Sequence, residues 1–198
     1  MLIGGSALAA LTVIGRVGSA WLFPLEFAAA QRWSEEMTGM AAPVRLDMPW
    51  LVAAMTVGGV IAGLIARWRR RPPVTLGNVA TLIPRAWAEL GWGALLSIDA
   101  GLCEELYFRL AVPLLVVLAG GGALAGFALS AGLFGWAHRY QGVAGMAATF
   151  AVAWLLSAAY LLTGQLWVAM VLHVVLDLNG LVVRPVVAGF MPEAAAPR

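Results

Sequence analysis

Long apolar stretches narrow the fold of this chain more than any other feature of its sequence. A spanning helix needs roughly 20 mostly apolar residues. Residues 2–29, 48–66, 88–118, 122–138, 142–163 and 165–183 are such stretches. The composition agrees: 62% of the 198 residues are hydrophobic and 11% are charged, whereas a soluble domain carries about a quarter charged residues. The expected fold is all-α, a polytopic membrane bundle of about six transmembrane helices forming one domain over residues 1–198. The third stretch is long enough for two pieces. Pro113 is expected to bend it, because proline removes a backbone hydrogen bond and clashes with the preceding turn. The first stretch has no basic start and is interrupted by Arg16, so it reads as a retained span rather than a signal peptide.

Arginine placement sets the expected topology. All 12 basic residues are arginine. Arg67, Arg69, Arg70 and Arg71 close the second stretch, Arg85 lies in the same loop, Arg139 follows the fourth stretch, and Arg184 and Arg198 follow the sixth. Basic loops stay in the cytoplasm. That rule puts both termini inside a cell (inner) membrane and leaves Arg32 and Arg45 outside, offset by Glu35, Glu36 and Asp47. The proline-containing segment before the third stretch is expected to be broken or interfacial, with Trp87 and Trp92 at headgroup level. A net charge of +2 gives no footing for a nucleic acid partner. The single cysteine, Cys103, excludes an internal disulfide and reads as packing, as do the small residues Gly59 and Gly63.

Ionisable side chains inside spans cost on the order of 2.5–3.5 kcal/mol each on insertion scales and are functional candidates by default. Here they are Asp99, Glu104, Glu105, Arg109, His138, His173 and Asp177, with Arg16 and Glu26 nearer the ends of the first stretch. In "EELYFR", Glu105 and Arg109 are four residues apart and share a helical face, so they are expected to pair. Glu104 is rotated away and left without that partner, which makes it the candidate general base. Phe134 and His138 in "FGWAH" have the same spacing, as do His173 and Asp177 in "HVVLD", and these are the only histidines. Converging helices would gather a glutamate, two imidazoles and an aspartate round one cavity, a set able to polarise water, stabilise an oxyanion or bind a divalent metal.

The ordered triple "EELYFR", "FGWAH" and "HVVLD" resembles the EExxxR, FxxxH and HxxxN/D motifs of the CAAX protease and bacteriocin-processing family, over residues 87–183 as the catalytic core. The resemblance implies an intramembrane glutamic endopeptidase acting on a membrane-anchored protein or peptide. Carried over by motif, Glu104 activates water with His138, Glu105 and Arg109 support it, and His173 and Asp177 face the developing oxyanion. Two positions depart from the family pattern: Asp177 stands where asparagine is common, and Leu110 where glycine is frequent. An ionised aspartate donates no hydrogen bond, so Asp177 must be protonated, orient His173 or bind a metal.

The resemblance favours a cofactor-free reaction. A Zn²⁺-dependent version would use Glu104, His138, His173 and Asp177 as ligands. Non-enzymatic readings are a transporter or a partner-binding protein with a buried polar cluster. The chain has no HExxH and no GxGD, and Ser130 in "LSAG" lacks the context of a rhomboid nucleophile. Simple spans also put His138 at a cytoplasmic helix end and Glu104 roughly 15–24 Å deep, so either the third span starts later than Ala88 or the fourth extends beyond His138.

Overall fold

Proline and glycine decide where the apolar helices of this chain start, widen and stop. The computed structural model describes residues 2–71, 75, 77–79, 82–84 and 86–189. Arg85, Arg198 and part of the expected interfacial segment lie outside the described residues. The helices are α1 (Leu2–Val13), α2 (Ala28–Thr38), α3 (Met48–Trp68), α4 (Leu90–Glu105), α5 (Val112–Leu118), α6 (Ala123–Ala137), α7 (Gly142–Thr163), α8 (Leu166–Leu178) and α9 (Arg184–Ala188). A π turn at Leu106–Ala111 joins α4 to α5, and a second at Asn179–Val183 joins α8 to α9. The fold is all-α, with no strand among the described residues.

The first stretch is not one helix. α1 stops at Val13, Gly15 takes φ +68°, and 3₁₀ turns at Val17–Ala20 and Leu25–Phe27 follow before α2 begins. Arg16 and Glu26 pair across this break. The sequence reading took Arg16 as an interruption within a span. Here the helix stops at the left-handed Gly15, and the 12 residues of α1 reach about 18 Å, short of a bilayer core. Among the described residues three helices are long and apolar enough to cross: Met48–Trp68, Arg139–Thr163 and Leu166–Ala188. Gly4–Val13 and Ala123–Ala137 are apolar but shorter. The sixth stretch runs five residues beyond its expected end at Val183.

Small residues set the spacing of the bundle. α4 lies along α8, and a Cβ on Gly101 would run into the side chain and backbone of Val174. α3 packs on α9 in the same way: Gly59 faces Asn179, and Gly63 faces Val187. The Gly59/Gly63 stripe is therefore filled from within the chain, as the packing reading expected. α1 covers the first π turn, with Gly4 against Cys103. A core of Leu11, Phe27, Leu110, Leu114, Phe127 and Tyr160 ties α1, the break and α7 to α5 and α6.

The tight turn between α5 and α6 resolves the depth problem. Glu104 precedes the end of α5 at Leu118 by 14 residues, and His138 follows Gly122 by 16, so an antiparallel hairpin sets them level. The first half of α4 simply extends past the end of α6.

Candidate active site

Each of the three sequence motifs contributes one level of this site. On α4 and its π turn, Glu105 and Arg109 form the expected ion pair, with Nε 3.0 Å from Oε2. They are among the most buried polar groups described, at 0% and 1% exposure, with His173 at 5%. The second oxygen of Glu105 makes a bond the sequence did not announce: it accepts from His173 Nδ1 at 2.7 Å. Glu105 therefore bridges Arg109 on one side and His173 on the other. It is more than the structural partner of an arginine. The close approach of α4 to α8 at Gly101, one turn before Glu105, permits this bond.

The two histidines are oriented through the same ring atom. His138 Nδ1 lies 2.8 Å from the Phe134 carbonyl one turn back. A carbonyl only accepts, so Nδ1 carries the hydrogen and Nε2 is left with its lone pair. His173 Nδ1 is committed to Glu105, and its Nε2 is 3.8 Å from Asp177 Oδ2, beyond direct hydrogen-bond distance. His173 and Asp177 share a face as their spacing implies, yet the carboxylate that grips the ring is Glu105. Asp177 is the more exposed member of the pair, with a third of its side chain accessible.

Glu104 differs from Glu105 as the sequence reading expects. It has no arginine partner. Its Oε2 is buried without a hydrogen-bond partner among the described residues. It is in electrostatic reach of His173, His138, Asp177 and Glu105. Phe134 forms the floor of the cluster: its ring is 4.6 Å from His138, 5.9 Å from His173 and 5.1 Å from Phe108, and the Arg109 guanidinium sits 4.5 Å over its face. One aromatic side chain thus touches all three motifs, and a cation over a ring face is itself attractive.

Asp99 and Cys103 lie outside this cluster, with Cys103 Sγ donating to Asp99 Oδ1 at 3.4 Å and packed beside Gly4. Among the described residues no group of three or more His, Cys, Asp or Glu side chains is disposed to hold a metal ion.

Residues 86–179 match the family model described as Type II CAAX prenyl endopeptidase Rce1-like, and all three motifs fall inside the match. This region is similar to the Rce1-like family. The matched region begins at the 3₁₀ turn that leads into α4 and ends just after Asp177, so it contains the whole buried cluster. The family is one of membrane peptidases, and the apolar helices agree with a membrane-integral protein. No curated protein and no solved structure matches the chain.

Proposed function

We propose that this protein is an intramembrane endopeptidase of the glutamate type, which hydrolyses a peptide bond in a membrane-anchored protein or peptide. The observation that carries the reading is the state of the three reacting groups. Glu104 keeps a buried oxygen without a partner, while His138 and His173 each have Nδ1 occupied and Nε2 open. A water between them would donate one hydrogen to Glu104 and the other to His138 Nε2. Its oxygen attacks the scissile carbonyl as Glu104 takes the proton. His173, flanked by Glu105 and Asp177, acts as the imidazolium, keeping Nδ1–H on Glu105 and turning Nε2–H to the oxyanion. Glu104 then hands its proton to the leaving amine, and a new carboxylate and a free amine depart. Arg109 pairs with Glu105 and holds it still. Asp177 flanks His173 on its partly exposed side.

The reading is metal-free, and residues 87–183 form its catalytic core within one domain. Arginine placement supports termini at the cytoplasmic face of the cell membrane. The test compares membranes of cells carrying the wild-type chain with cells carrying Glu104→Gln, by mapping new protein termini. At least one membrane-anchored precursor should be cut only by the wild type, with cleavage reduced about 10²–10⁴-fold in the variant. Cleavage that survives in the variant removes Glu104 from its role. Cleavage should also persist in the presence of a chelator. Loss under chelation that added Zn²⁺ restores would replace this mechanism with a metal-dependent one.

A further inference from the structure

The π turn that carries Arg109 is a consequence of Pro113. In that turn the Val112 N–H bonds the Tyr107 carbonyl, five residues back. Continuing the same register, the Phe108 carbonyl faces the nitrogen of Pro113, which bears no hydrogen. Phe108 is buried, and an orphaned carbonyl in a membrane interior must find a donor within the protein. The donor comes from another helix: the Ser130 hydroxyl of α6 bonds the Phe108 carbonyl, and Ser130 is itself buried. Ser130, Phe134 and His138 are spaced by four and share one face of α6. The hydroxyl, the ring under Arg109 and the imidazole beside Glu104 are therefore fixed to one another by a single helix.

We infer that Ser130 is a positioning residue of the active site. Its hydroxyl replaces the backbone donor that Pro113 lacks, and it locks the wide turn so that Arg109 meets both Glu105 and the Phe134 ring. The wide turn matters because it changes the angular step of the helix. In an α-helix, side chains five apart point well away from each other. A turn closed by five-residue bonds takes up an additional residue, which brings Arg109 round toward Glu104 as well as Glu105. Arg109 is indeed within electrostatic reach of both carboxylates. Through Glu105 the same lock reaches His173 Nδ1. Ser130 attacks nothing. It holds the register on which the proposed Glu104 mechanism depends.

The chain's two histidines make a direct test. The full chain is labelled with ¹⁵N-histidine in lipid nanodiscs, its ring signals assigned with His138→Gln, and the His173 Nδ1–H signal followed. Ser130→Ala should displace or broaden that signal, and Ser130→Thr should restore it. Pro113→Ala supplies a backbone N–H for the Phe108 carbonyl, so adding Ser130→Ala in that background should leave the signal where Pro113→Ala alone puts it. Val187→Ala, in the contact between α3 and α9, serves as a stability control and should leave the signal in place. The inference is overturned if Ser130→Ala leaves His173 unmoved, if it acts equally in both proline backgrounds, or if Val187→Ala moves His173 as much. The measurement needs no substrate, so survival of cleavage in Glu104→Gln would sink the mechanism and leave the lock standing. An unmoved His173 beside a dead Glu104→Gln would do the reverse.

Discussion

The π turns at Leu106–Ala111 and Asn179–Val183 both come just before a proline, Pro113 and Pro185, each two residues past the end of its turn. Their polar groups are met in different ways. In the first, the free Phe108 carbonyl is served by Ser130 from a neighbouring helix, and the turn holds a buried Arg109. In the second, the carbonyl in the same register is that of Gly180, which is only half-buried, while the Asn179 carbonyl, the counterpart of Tyr107's, accepts from the Arg184 backbone N–H and from its Nε at 3.2 Å within the same helix. The Asn179 side chain meanwhile donates to the Met55 carbonyl at 3.1 Å and fastens α3. The same local rule, a proline widening the turn ahead of it, thus yields one turn tied to the candidate chemistry and one tied to the scaffold. What separates them is depth in the bundle. A buried turn must borrow a donor from another element, and this borrowing couples it to whatever else that element carries.

That difference can be broken from either side. The largest effect should come from Arg109→Ala, which strips the fully buried Glu105 of its arginine and leaves it only the bond from His173. Losing one partner of a buried pair costs about 3–5 kcal/mol, so denaturation in mild detergent should show a marked loss of stability together with loss of cleavage. Gly101→Val should follow, because the new side chain meets Val174 and forces α4 from α8. Overpacking of this kind costs about 1–3 kcal/mol, and His173 should lose its bond to Glu105, which the same ¹⁵N-histidine spectrum reads. A Gly101→Val protein with an unshifted His173 signal would show that the helices tolerate separation there. The smallest effect should come from Asn179→Ala. One hydrogen bond is lost, about 1 kcal/mol, lowering the unfolding midpoint while cleavage stays within about twofold of wild type. A large loss of cleavage from Asn179→Ala would erase the distinction between the two turns.

Much of the candidate site was legible because helical spacing is a local property. Glu105 and Arg109, Phe134 and His138, and His173 and Asp177 each fall four apart, and each pair shares a face in the folded chain. The division of the third stretch into two pieces was equally readable. The bond from His173 to Glu105 was not, since those residues are 68 apart in sequence and only the close approach at Gly101 joins them. Ser130 looked like a poor nucleophile, and its partner is a backbone carbonyl that leaves no trace in side-chain patterns. A weak signal did exist: Ser130 precedes Phe134 by the same four residues that separate Phe134 from His138. The break after Val13 was misread because its apolar flanks hide the pairing of Arg16 with Glu26, ten residues apart.

The sequence by itself determined an all-helical membrane protein, the helices that carry ionisable groups, and which of those groups lie on a common face. These follow from hydropathy and from the helical repeat, both of which act over a few residues. The tertiary structure alone decided that Glu105 holds His173, that Glu104 keeps an unpartnered oxygen, and that a serine on α6 completes the turn of α4. In a lipid-facing bundle every buried polar group must find its partner inside the protein. Which partner it finds depends on how closely the helices pack, and no local pattern encodes that distance.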